Sequence, residues 1–328
     1  SIGVETMLRS LPLVSVLALF CLAAGCDSST GPKEDVDPRW SGPTRVVVLS
    51  RHFDLANASS TESITVRFDT PDLSAVGNVV DIERSASHPA HVVTTKVNGM
   101  KRVSFEIQLP PEGETTLELS WRLSLRRFDA LASEAPGSPS LGADDAAAYL
   151  AASVNVDSGH PSLLTAAQDI TQGISGDLAK VEAIVDFVRG HLDYELQSGT
   201  KGALWALENR RGDCTEYATL GVALGRAAGI PARVTGVENM VSSSGSSTYD
   251  NHNAAEFWVE DIGWVPVDIN YTQSPVGVLP TRSVTMRWGL MTERDREALC
   301  VVWYTWRTLL GPSGQLQILD MGHAWREE

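Results

Sequence analysis

The chain has 328 residues and a formal net charge of -15, with 41 Asp and Glu against 26 Lys and Arg. That length fits two domains, and a 43% hydrophobic content can fill a core in each. The acidity repels phosphate backbones and anionic headgroups, and no basic stripe offsets it, which argues against nucleic-acid binding.

From Met7, the expected start, the chain carries Arg9, an apolar run from Leu11 to Ala24, and then Gly25-Cys26. A short positive region followed by roughly a dozen apolar residues is a secretory signal, too short for a comfortable membrane span. Its ending, Leu22-Ala-Ala-Gly-Cys26, resembles the lipobox of bacterial lipoproteins, which implies lipidation of Cys26 and attachment to a membrane. Ala23 holds the position where that box prefers Leu, so an ordinary cleaved signal is the competing reading. Residues 1–26 are therefore read as the signal. Residues 27–44, rich in Asp, Ser, Pro and Gly, are read as a solvated tether.

Residues 45–131 alternate with period two. Ile64, Val66 and Phe68 form one such run, Val103 to Leu109 a second and Leu117 to Leu125 a third, bounded by turn formers such as Asn98-Gly99. About six short strands of this kind predict an antiparallel β-sandwich. Residues 132–145, with Pro136, Gly137 and Pro139, read as a linker. The period then changes, and residues 146–275 form the second expected domain. Leu178, Val181, Ile184, Val185, Val188 and Leu192 share a helical face, with Ser175 placed to cap it. A second helix is expected near Ala203 to Glu208. A third starts at Cys214 and stops at Gly229-Ile-Pro231. Strands are expected over 232–237, 255–260 and 264–267, so the fold class is α+β, with helices first and then a sheet. The Ser- and Gly-rich stretch 238–250 reads as a surface loop flanking the cleft. Residues 276–328 read as an extension packed on the catalytic domain.

Of the four cysteines, Cys21 lies in the signal and Cys300 in an apolar run, leaving Cys214 as the chemical candidate. A thiol attacks as thiolate, so its site must lower the pKa from about 8.5. A helix N-terminus favours negative charge and offers donors to an oxyanion. Asp213 and Glu216 have the spacing of a capping box that would start a helix at Cys214. His252 would be the base on one strand, and Asp268, at the end of the next, would orient the imidazole.

Two segments, Arg210-Arg-Gly-Asp-Cys214 through Arg233 and Asn251-His252 through Gly263-Trp264-Val-Pro-Val-Asp268, resemble the transglutaminase-like superfamily. That resemblance implies a papain-like core with Cys214, His252 and Asp268 as triad, and protease- or amidase-type hydrolysis of peptide or protein amides through a thioester, with transamidation to an amine acceptor as the alternative. Where the family has Trp two places after the His, this chain has Ala254, a change expected to widen the cleft. A second His motif, Gly322-His323-Ala-Trp325, has no downstream Gly-Trp-x-Pro-x-Asp, so His252 is preferred. No metal or organic cofactor is implied. Two other readings stay open: an idle module that keeps the fold for binding, and a structural lipoprotein stapled by a Cys214–Cys300 bridge.

Overall fold

A computed structural model describes residues 37–73, 77–94, 101–133, 139–243, 246–289 and 304–328, all within the unit Asp37–Glu328. The expected signal, Cys26 and Cys300 lie outside the described residues. No helix among the described residues is long and apolar enough to cross a membrane.

The first half is antiparallel β-structure. Strands β1 (Trp40–Asn57), β2 (Ile64–Pro71), β3 (Val79–Ala86), β4 (Ala90–Thr94), β5 (Lys101–Leu109) and β6 (Glu114–Asp129) precede the first helix. β1 begins inside the expected tether. Five helices follow: α1 (Ala143–Leu150), α2 (Pro161–Thr171), α3 (Asp177–His191), α4 (Ala203–Asn209) and α5 (Cys214–Ala227). Two short strands, β7 (Asp193–Tyr194) and β8 (Arg211–Gly212), pair in parallel between them. The expected cap at Ser175 is displaced. Gly176 holds the N-cap of α3 at φ +85° without a side-chain bond, a conformation that glycine adopts at little steric cost.

The remaining strands are β9 (Ala232–Ser243), β10 (Ser246–Val259), β11 (Gly263–Val267), β12 (Val278–Leu279), β13 (Ser283–Gly289), β14 (Thr305–Leu310) and β15 (Leu316–Glu327). The sheet of the second half runs β11-β10-β9-β13, with α5 packed on β9 and β10. Its core joins Val181, Ile184 and Val188 of α3 to Leu220, Ala223 and Leu224 of α5 and to Phe257 and Val265 of the sheet. The expected loop at 238–250 is a continuation of β9 and β10, which pair from Phe257↔Ala232 outward to Ser246↔Ser243. Main-chain ladder bonds need no apolar side chain, so a Ser-rich segment can extend a hairpin.

The sandwich is completed from the other end of the sequence. β15 pairs with β1 and β14 with β2, giving one sheet ordered β12-β6-β1-β15, with β3 also on β6, and a second ordered β14-β2-β5-β4. The expectation that residues 276–328 pack as a unit on the catalytic domain is thereby corrected. β13 joins β9 in the sheet of the second half, whereas β14 and β15 cover the edges that β1 and β2 would otherwise expose. The sandwich core contains Leu49, Phe53, Phe68, Phe105, Leu119 and Trp121. Met240 of β9 and Val284 of β13 enter the same core, so the two parts share apolar packing.

Candidate active site

The capping box forms at the predicted place. Asp213 Oδ1 accepts from the Thr215 amide at 2.9 Å, and Glu216 Oε2 accepts from the Asp213 amide at 3.2 Å. Cys214 is thus the first residue of α5, and its thiol is half-buried. Glu216 is fully buried, and its Oε1 accepts from the amides of Lys201 at 2.8 Å and Gly202 at 3.4 Å. Burial raises the Glu216 pKa, with the Asp213 charge adding to the rise, while those backbone donors pull it down. One carboxyl therefore ties the α4 approach to the start of α5. A Cβ on Gly212 would collide with the Glu216 side chain, which explains the glycine before the cap.

His252 of β10 hydrogen-bonds Asp268 through Nε2 at 2.9 Å, and its ring also bonds Cys214. With Nε2 engaged, Nδ1 is the nitrogen left for the sulfur. Burial disfavours a charged imidazole here. The hydrogen bonds to Asp268 and Cys214, with their negative charges, overcome that and push the pKa up to about 10. The geometry therefore favours an imidazolium over a wide pH range, which is the partner a thiolate needs. His323 instead lies exposed on β15, opposite Arg51 of β1.

Asp268 directly follows β11, and its Oδ1 also accepts from the Tyr271 amide at 3.2 Å. Arg189, in the last turn of α3, organises the loop behind it. It donates to the carbonyls of Asp268 at 3.1 Å, Ile269 at 3.2 Å, Tyr271 at 3.3 Å and Ser274 at 2.8 Å. Burial lowers the Arg189 pKa, opposed by the charges of Asp186 and Asp268. A second tie joins the strand to the helix. Asn253, buried next to His252, donates through Nδ2 to Thr215 Oγ1 at 3.0 Å, beside Cys214. Sequence reasoning missed both Arg189 and Asn253. The one signal for Arg189 is a cation continuing the apolar face of α3.

Two histidines away from this site act as local fasteners. His160 caps α2 by accepting from the Ser162 amide at 3.3 Å. His191 bonds the Leu207 carbonyl at 2.8 Å and stacks on Phe187. Trp205, Trp258 and Trp264 are half-buried. Trp258 and Trp264 meet edge to face at the rim, with the Arg233 guanidinium 3.8 Å from the Trp264 centroid, and Arg211 covers Trp205.

Residues 164–269 match the model of the transglutaminase-like superfamily. The fold resembles a crystal structure described as a candidate cysteine protease from Cytophaga hutchinsonii, with a TM-score of 0.55 and 18% identity, covering 87% of this chain and 91% of that one. The periplasmic domain of TgpA from Pseudomonas aeruginosa is also similar at 18% identity, with a TM-score of 0.37, covering 67% of this chain and 93% of that one. No curated protein matches the sequence.

Proposed function

Since residues 164–269 form a transglutaminase-like domain, we propose that the chain is a cysteine-dependent enzyme of peptide or protein amide bonds, with Cys214 as nucleophile, His252 as acid and base, and Asp268 as orienter. The observation that carries this reading is that one imidazole bonds both Cys214 and Asp268.

The steps follow from that arrangement. The Cys214 thiolate attacks the amide carbon, forming a C–S bond and placing the carbonyl electron pair on oxygen. The Cys214 amide, at the first position of α5, is the donor proposed for that oxyanion. As the oxyanion collapses, the C–N bond breaks and the His252 imidazolium gives its proton to the departing nitrogen. A thioester remains. Water then attacks the thioester carbon and gives a proton to the imidazole. Collapse of the second oxyanion breaks the C–S bond, releases the acid and restores the thiolate and imidazolium. An amine in place of water would make the same enzyme a transamidase, so the acceptor is a matter for experiment.

The test is alkylation of Cys214 by iodoacetamide as a function of pH, with a mass-spectrometric screen of peptide libraries with and without added amine. Labelling well below neutral pH, lost in Cys214→Ala and shifted to higher pH in His252→Ala but not in His323→Ala, supports the triad. An unreactive thiol, or equal behaviour of the two His variants, would sink it and favour the idle-module reading. Labelling that appears only after reduction would instead indicate the Cys214–Cys300 bridge. The signal-like N-terminus adds the proposal that the enzyme is exported and tethered by lipid at Cys26. Its test is the mass of the mature N-terminal peptide, and an unlipidated product would remove the tether.

A further inference from the structure

Two successive residues of β10 meet two successive residues of α5. His252 bonds Cys214, and Asn253 donates through Nδ2 to Thr215 Oγ1 at 3.0 Å. Asn253 and Thr215 are both buried, and the residue across the ladder from Asn253 is Gly236, which has no side chain to offer it. The aromatic contact between the same two elements lies elsewhere. Phe257 faces Gly221 and Gly225, about two and three turns along the helix from the sulfur. At its start, α5 is fastened to the strand by the polar bonds of Cys214 and Thr215.

The two bonds fare differently in the proposed reaction. The one between imidazole and sulfur draws its strength from opposite charges. Once the sulfur is acylated, the thioester carries no charge, the imidazole has given up its proton, and that bond is gone. Asn253 Nδ2 and Thr215 Oγ1 take no part in the chemistry, so their bond persists through both steps. Asp268 still holds Nε2 at 2.9 Å, but it follows β11 and its carbonyl is held by Arg189 of α3, so it fixes the ring to the sheet and not to α5. The second step nonetheless needs the imidazole at the thioester, within hydrogen-bond reach of the attacking water.

From these observations we infer that Asn253 is a positioning residue for deacylation: through Thr215 it keeps His252 beside the acylated sulfur after the charges that drew the two together have vanished. This rests on the proposed roles of Cys214 and His252. Loss of the Asn253–Thr215 bond is then selective. Acylation starts from an ion pair that assembles by its own attraction, whereas hydrolysis of the thioester relies on the amide–hydroxyl bond.

The test treats the purified protein with p-nitrophenyl acetate. The Cys214 thiolate attacks the ester carbon, a C–S bond forms, and nitrophenol departs with the imidazolium proton. Water then attacks the thioester and gives a proton to the imidazole, and the C–S bond breaks to release acetic acid and restore the thiolate. Rapid release of nitrophenol reports acylation, and the intact mass of acid-quenched protein reports decay of the acetyl-enzyme. Thr215→Val, of the same shape but with no acceptor, slows decay about fivefold, as loss of one neutral hydrogen bond predicts, and changes acylation by less than about twofold. Thr215→Ser keeps the acceptor and retains wild-type decay. Asn253→Leu breaks the same bond from the strand side and shows the same split, so it carries the test if Thr215→Val does not fold. Equal slowing of both steps, the mark of general loosening, overturns the positioning role, and so does unchanged decay in a folded variant. A further measurement needs no variant. In the wild type alkylated by iodoacetamide, which removes the charge on sulfur as acylation does, the Asn253 side-chain amide protons exchange with solvent as slowly as in the free protein. Faster exchange also overturns the role. Absence of any acetyl-enzyme in the wild type strikes instead at the catalytic reading.

Discussion

The imidazole of His252 is stabilised in its charged form by two acids, and this has a thermodynamic consequence. Its pKa is about 10 in the folded chain and near 6.5 when unfolded. The associated stability is therefore fully present below about pH 6.5 and is lost as pH rises through about 10. His252→Gln should flatten the alkaline fall of the urea midpoint while leaving the acid side of the curve largely unchanged. The four carbonyl bonds of Arg189 permit a second expectation. Arg189→Met should cost about 2–4 kcal/mol in denaturant unfolding, since it leaves partly buried carbonyls without a charged donor. Among folded molecules it should also lower the pH at which the imidazole deprotonates, because the Asp268 loop loosens; a shift in the alkylation profile would register this. That Cys214, His252 and Asp268 would meet was readable, because the cap before Cys214 and the turn between two paired strands fix their places. Arg189 was not, because main-chain carbonyls have no letter in the sequence. Asn253 was hidden for a related reason: its partner, Thr215, is an ordinary helix residue.

At the scale of elements, α5 sits close to the sheet because two glycines face it. A Cβ on Gly221 would collide with the tip of Ile269, the neighbour of Asp268, and one on Gly225 would lie 2.7 Å from the Phe257 ring. Alanine normally favours a helix interior by roughly 0.5–1 kcal/mol over glycine. Gly225→Ala should nevertheless destabilise the protein by about 1–3 kcal/mol, because a buried aromatic ring on a paired strand has little room to retreat. Thermal unfolding would measure it, and a gain in stability would show that helix and sheet can separate cheaply. The start of α5 was legible through Asp213, Gly212 and Glu216, whose spacing has few other uses. The β9–β10 extension was not, since polar side chains on a hairpin look like those of a loop.

Across the whole molecule, the two halves are joined by more than apolar packing. Arg51 of β1 bonds Glu238 of β9 at 3.0 Å, both almost wholly buried, with the guanidinium 5.3 Å from the Trp121 centroid. Arg51→Met strands a carboxylate between the sandwich and the β9–β10 sheet, at an expected cost of about 3–5 kcal/mol. A loss no larger than an exposed ion pair gives, about 0–1 kcal/mol, read from denaturant melts, would mean the halves respond independently. Removing residues 304–328 should have a larger effect, because it bares the long edges of β1 and β2 together. The expected outcome is aggregation during gel filtration and rapid proteolysis within residues 40–129. The alternating pattern of the first half revealed a sandwich, but not that it was short of two strands. Only the pairing partners, more than 200 positions away, supply that information.

The return of β15 to β1 also sets an order of events during synthesis. Trp40–Asn57 leaves the ribosome early, yet one of its neighbours, Leu316–Glu327, emerges only after the helices and the whole of the β9–β11 and β13 sheet. Until then the first sheet lacks a flank, and closing it requires a very long loop, a slow step compared with forming a local hairpin. Such a nascent polypeptide stays pliable through most of its elongation.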